Sequence, residues 1–221
     1  MKFSVKTLLS SLYPRTLARF SSKYNTDIHV VQVSGQNSLY VDGSSQSGLY
    51  ILRLWRIALK SFRIDKHNPP KNILVCGVAG GTVIRLLHTL YPKTIMVGVD
   101  IDKYMIDVGK KYFGLGDIQT LTLVTQDARD FIRDALKKEI AFDMIVIDIF
   151  IGKYLPPFLL DQSFWESVKD LLNEKGILLL NYLREDDYFA KSGKIEKILT
   201  TLFTTVKDTS IYRNRFFFAQ K

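Results

Sequence analysis

The chain holds one cysteine, three histidines and two tryptophans. A lone cysteine excludes an internal disulfide, and the place of Cys76 in the aliphatic run "NILVCGV" predicts a small core residue without a redox role. His29, His67 and His88 share no spacing with Cys76 or with one another, so no metal signature is present and no metal is expected. No apolar run approaches the ~20 residues of a membrane span. The opening "MKFSVKTLLSSLYPRTLARF" also lacks the apolar centre and small-residue cleavage site of a secretory signal. No membrane partner is expected, and the expected compartment is the cytoplasm.

What is present is aliphatic and basic. At 221 residues and 47% hydrophobic, the chain can bury a full core. The net charge of +9 is uneven: residues 1–70 carry ten Lys or Arg against three Asp, and the remainder carries 21 against 19 acids. A basic N-terminal third suits an anionic partner such as nucleic acid. The cations are nonetheless spaced as on a solvated face rather than clustered, and nucleic acid stays as the alternative partner.

From residue 71 onward short aliphatic runs alternate with helical patterns: "NILVCGV", "TVIRLLHTLY", "TIMVGVD", "KYMIDVGKKYF", "LTLVTQD", "RDFIRDALKKE" and "FDMIVIDIF". Strands without polar alternation, separated by helices, predict an α/β doubly wound fold with a parallel sheet covered on both faces. Next come "SFWESVKDLLNEKG", expected as a helix ending at Gly176, the strand "ILLLNYL", a helix around "GKIEKILTTLF", and a closing antiparallel pair, "TTVKDTSIY" and "NRFFFAQK". Residues 1–66 differ in texture and are expected to hold an N-terminal helix, a β-hairpin turning at Ser34-Gly35-Gln36-Asn37, and the amphipathic linking helix "LYILRLWRIALKSF". Residues 67–221 are expected to form the nucleoside-binding catalytic domain.

The chemistry is expected where the first parallel strand turns into its helix, at "VCGVAGGTVIRLL". Small residues there let backbone approach a ligand, and an acid about 20 positions on, closing the second strand, takes ribose hydroxyls. Asp100 stands nineteen positions after Gly81. A dinucleotide fingerprint would need a glycine where Thr82 stands, and no G-x-x-x-x-G-K-[ST] phosphate loop occurs. The remaining doubly wound option is an adenosyl sulfonium. Asp127 closes the third strand, where a carboxylate can accept from an adenine amino group, and Asp148 closes the fourth, where it can deprotonate an acceptor amine.

In order and spacing, "ILVCGVAGGTVIRLL", "GVDIDKYMIDVGKKYFGL", "LVTQDARDFI", "FDMIVIDIFIGKYLPPFLLDQSFWESVKDLLNEKGILLLN" and the earlier "LYVDGSSQSG" resemble the spermidine synthase-like branch of the class I S-adenosylmethionine-dependent transferases. The resemblance covers residues 38–183. It implies a Rossmann-like class I methyltransferase core, its mostly parallel seven-stranded sheet carrying an antiparallel C-terminal strand, behind a small N-terminal β-region that pairs two subunits as a homodimer. It implies that Gln46, Gly77, Ala79, Gly80, Gly81, Asp100, Ile101, Asp127 and Ala128 bind S-adenosylmethionine or decarboxylated S-adenosylmethionine, and that Asp148 is the catalytic acid group. Aminopropyltransferases of this branch carry a second acid three positions after the catalytic one, to grip a polyamine; here Ile151 stands there. The expectation is alkyl transfer to a small-molecule amine or another acceptor, methyl ahead of aminopropyl.

Overall fold

The computed structural model describes residues 13–64, 67–152, 154–185 and 187–221. Eleven strands and six α-helices are formed among them. Strands β1 (Arg15–Phe20), β2 (Ile28–Val33), β3 (Gln36–Val41) and β4 (Ser44–Ser47) make a four-stranded antiparallel sheet in sequence order. The β2–β3 hairpin turns at Ser34 and Gly35, both at positive φ, as the sequence predicts. The sheet is wider than that hairpin, because Ala18 and Phe20 of "RTLARF" keep the period of a strand and pack on the sheet's apolar cluster. The N-terminal helix expected ahead of it has no counterpart at Arg15–Phe20, and residues 1–12 lie outside the described residues.

Helix α1 (Leu49–Ser61) links the two sheets, burying Ile51, Leu54, Trp55, Ala58 and Leu59 at helical spacing. The second sheet has the order β10-β11-β9-β8-β5-β6-β7. Its parallel members are β5 (Asn72–Cys76), β6 (Ile95–Asp100), β7 (Leu121–Thr125), β8 (Phe142–Ile147) and β9 (Leu172–Leu183). β10 (Thr205–Ile211) and β11 (Asn214–Gln220) pair antiparallel. β11 is the antiparallel member and is inserted between β9 and β10. The fold is therefore the doubly wound α/β, Rossmann-like one.

The connecting helices are α2 (Thr82–Leu90), α3 (Lys103–Phe113), α4 (Ala128–Lys137), α5 (Gln162–Asp170) and α6 (Asp187–Leu202). Both sheet faces are dry. Ile73 and Val75 join the core shared with α1 and α2, while Leu74 and Cys76 join the core shared with α4, α5 and α6. That two-sided burial is why the strand is apolar at every position from Ile73 to Cys76. The N-terminal sheet packs through Ile28, Val30, Leu39 and Val41 on Met105, Val108 and Phe113 of α3.

The helix expected to reach Gly176 stops at Asp170. Leu171 and Leu172 are fully buried, which removes them from a solvated helix face. Leu172 pairs with Phe142 and Ile177 with Met144, so residues 173–176 bulge out of β9, with Lys175 at φ 63°.

The tightest backbone passage lies at the β5 exit. Gly77 has φ +94°, and a Cβ there would sit 2.1 Å from the Asp148 carbonyl oxygen. Gly77→Ala is therefore expected to lower stability by about 3 kcal/mol or more, from strain and overpacking together. Gly193→Ala, in α6 with nothing within 4 Å, is expected to raise it by about 0.5–1 kcal/mol. Urea midpoints of the two variants check the contrast.

Candidate active site

The strand order reverses between β5, which leads to β6 and β7 on one side, and β8, which leads to β9 on the other. Ligands of open α/β sheets sit beyond the strand ends at such a switch point. A cleft of about 500 Å³ opens there, lined by Gln46, Gly77, Ala79, Asp100, Ile101, Asp127, Ala128 and Asp148 among others. Eight of the ten predicted site residues thus come together. Gly80 and Gly81 do not reach the cleft wall. Gly80 donates its N–H to Ser47 Oγ at 2.9 Å and leaves no room for a Cβ against Ser47 and Phe113, and Gly81 packs on Leu115.

The carboxylate of Asp100 accepts from Val78 N–H at 2.9 Å and Ala79 N–H at 3.0 Å through one oxygen, and from Asp102 N–H at 2.9 Å through the other. Burial pushes its pKa above the ordinary carboxylate range despite those donors. Asp127 caps α4, accepting from Arg129 N–H at 2.8 Å. The Arg129 guanidinium also reaches Asp127 at 2.7 and 3.1 Å and lies over the Phe158 ring, 4.7 Å from its centroid. This pair holds Asp127 below the usual carboxylate range.

Asp148 follows β8 directly. Trp55 Nε1 donates to its Oδ2 at 2.9 Å and Asn181 Nδ2 to its Oδ1 at 2.8 Å. Asn214 Nδ2 in turn donates to Asn181 Oδ1 at 2.8 Å. Burial raises the Asp148 carboxyl to about 6, against the lowering effect of Asn181 and Trp55.

A second cleft of about 610 Å³ adjoins the first and shares Gln46, Phe150 and Gly152 with it. Its walls include Tyr50, Tyr154, Tyr188, Asn181 and Asn214, and its Glu185 is ion-paired to Arg213. Gln46 Nε2 donates to the Gly152 carbonyl at 2.6 Å, which closes part of the partition between the clefts. In "YLPPF", Tyr154 faces this second cleft, whereas Pro156, Pro157 and Phe158 line the first. Among the described residues no group of three or more His, Cys, Asp or Glu could hold a metal ion, and no helix is long and apolar enough to cross a membrane.

Trp55, Asn181, Asn214 and Arg129 were absent from the sequence-based site. Trp55 sits on the apolar face of α1 and is indistinguishable from core by spacing. Asn181 left one signal, a polar residue inside the buried run "ILLLNYL".

A family model described as the spermine/spermidine synthase domain matches residues 58–213. The chain belongs to the spermine/spermidine synthase family. Among curated relatives it is 36% identical over 115 residues to the polyamine aminopropyltransferase of Vibrio vulnificus, covering 52% of this chain and 38% of that protein. It is 28% identical over 126 residues to the eEF1A lysine and N-terminal methyltransferase of Homo sapiens, covering 53% of this chain and 18% of that one. The chain thus spans well under half the length of these family relatives. Among solved structures, a probable spermidine synthase from Corynebacterium glutamicum superposes with a TM-score of 0.77 at 16% identity, covering 92% of this chain and 79% of that one. Human methyltransferase-like protein 13 in complex with SAH superposes with a TM-score of 0.63 at 24% identity, covering 72% and 74%. At these identities the superpositions establish the fold alone. The family places both aminopropyl and methyl transferases on this fold.

The raised pKa of Asp148 makes stability depend on pH. Its folded value of about 6 lies above the unfolded 3.8, so the folded state binds the extra proton between the two. The stability it contributes is present below pH 3.8 and is lost as pH rises through 6. Asp148→Asn abolishes this dependence. Relative to the wild type, the variant is expected to gain about 2 kcal/mol between pH 4 and pH 8, measured by urea denaturation at both pH values.

Proposed function

We propose that this protein transfers a methyl group from S-adenosylmethionine to an amine, with Asp148 as the general base. The observation that carries the reading is the position of Asp148, a fixed carboxylate on the wall of a nucleoside-sized cleft, reached through Asn181 from a second, aromatic-lined cleft. The first cleft lies within the ~300–1,000 Å³ of small-molecule sites, and its two carboxylates suit a nucleoside. Asp100 would take the ribose hydroxyls and Asp127 the adenine amino group, with Gln46, Gly77, Ala79, Ile101 and Ala128 as walls. When bound, S-adenosylmethionine supplies a methyl carbon made electrophilic by its sulfonium. Asp148 accepts the proton that the attacking amine gives up. A base titrating near 6 is ionised at neutral pH and close enough to it for proton transfer to be useful.

Charge around the two clefts favours methyl over aminopropyl transfer. A diamine acceptor needs an anion for its distal ammonium, yet position 151 is isoleucine and Glu185 is already paired with Arg213. Relatives named as eEF1A lysine and N-terminal methyltransferases supply a protein amine as the acceptor class. Tyr50 and Tyr154, 42% and 62% exposed, give a polypeptide apolar surface at the mouth. The second reading is aminopropyl transfer from decarboxylated S-adenosylmethionine to a diamine by the same base, supported by the Vibrio vulnificus relative. The nucleic-acid alternative is less well supported, because Arg53, Arg56 and Lys60 of α1 line neither cleft.

Calorimetric titration with S-adenosylhomocysteine and methylthioadenosine separates the two transfers. Tighter binding of S-adenosylhomocysteine is expected; the opposite preference supports aminopropyl transfer. Turnover is then followed with S-adenosylmethionine and a lysine peptide acetylated only at its N-terminus, and with decarboxylated S-adenosylmethionine and putrescine. Asp148→Asn is expected to lower turnover by about 10²–10⁴-fold while S-adenosylhomocysteine affinity stays within a few-fold. Retained turnover removes Asp148 from the mechanism.

A further inference from the structure

Asn214 is 7% exposed and occupies the first position of β11, on the sheet face that also carries the buried Phe216 and Phe218. A buried amide among aromatic side chains calls for an explanation. Its Nδ2 donates to Asn181 Oδ1, and Asn181 Nδ2 donates to Asp148 Oδ1, each at 2.8 Å. Asn181 is itself only 3% exposed. An amide presents a donor and an acceptor of nearly the same shape, and its neighbours decide which end faces which way. Without the donor from Asn214, the Asn181 carbonyl can turn toward Asp148 and repel its charge.

We propose that Asn214 is a positioning residue for the transfer reaction: it locks the Asn181 amide with its N–H toward Asp148 and so holds the carboxylate oriented and ionised toward the acceptor cleft. The proposal rests on Asp148 being the base. Asn214, Asn181 and Trp55 offer N–H groups that do not titrate near neutral pH, so the chain orients the carboxylate and carries no proton. The charged and titratable groups that line the first cleft with Asp148 are Asp100, Asp102, Asp127, Asp161, Arg129 and Tyr24, and those of the adjoining second cleft are Glu185, Arg213, Tyr50, Tyr154 and Tyr188.

The test uses the two tryptophans as reporters. The Trp55 indole N–H is bonded to Asp148, whereas that of Trp165 is bonded to the Leu159 carbonyl at 2.9 Å and serves as the control. In the ¹⁵N–¹H spectrum of the full chain, the Trp55 signal is expected to titrate with a midpoint near 6 while that of Trp165 stays still. Asn214→Leu is expected to raise the midpoint by about one pH unit, as is Asn181→Leu. The double variant is expected to show no more than Asn181→Leu alone, because Asn214 acts through Asn181. Asn214→Ala removes the donor without adding charge or bulk and gives the same direction if the leucine variant fails to fold. The acid limb of turnover is expected to move with the midpoint. An unmoved midpoint, an additive double variant, or an acid limb that stays put while Asp148→Asn abolishes turnover overturns the proposal. Turnover that survives Asp148→Asn sinks the functional reading instead, and leaves the spectroscopic result standing.

Discussion

A carboxylate withdrawn from water is tolerated only where other donors replace the water it has lost. At Asp148 two neutral N–H groups do so, from Trp55, 93 residues earlier in the chain, and Asn181, 33 residues later. Much else follows from this requirement. Helix α1 must lie on the sheet with its indole turned inward, and the edge-to-face contact of Trp55 with Phe216, at 5.0 Å between centroids, holds it there. β5 must pass close enough to β8 for its exit to share the site, which only a glycine at 77 allows.

The parts of this arrangement that were legible in the sequence are those built by local pattern. Asp100 and Asp148 stand at strand ends, where an apolar run followed by an acid marks the position with no tertiary information, and Asp127, two residues beyond β7, is marked as the cap of α4. The doubly wound core was legible for the same reason, since two-sided burial makes runs like "ILVC" continuously apolar. Pairings set by distance were not. Nothing in "RLWRIAL" separates a tryptophan that packs from one that also donates to a carboxylate. The end of α5 escaped because a bulge is decided by the partner strand: Phe142 and Met144 choose Leu172 and Ile177, and the intervening residues are displaced.

The glycine-rich turn combines two demands that sequence alone merges. Gly77 and Ala79 face the cleft, while Gly80 and Gly81 are small because Ser47, Phe113 and Leu115 press on them. Half of the turn's lack of side chains therefore serves packing between the N-terminal sheet, α3 and the catalytic core. The same contacts bring Gln46 to the cleft, so a residue from the first sheet becomes part of a site at the edge of the second.

The partition between the clefts is secured by main chain. Gly152 donates its N–H to Asn25 Oδ1 at 3.0 Å and accepts from Gln46 at its carbonyl, and Ile151 and Tyr154 are bridged through their own backbones. None of these bonds uses a side-chain atom of Ile151. Exchanging that side chain removes none of them, so the wall of the cleft can change its chemistry at this position while the bonds of Gly152 and Tyr154 are kept.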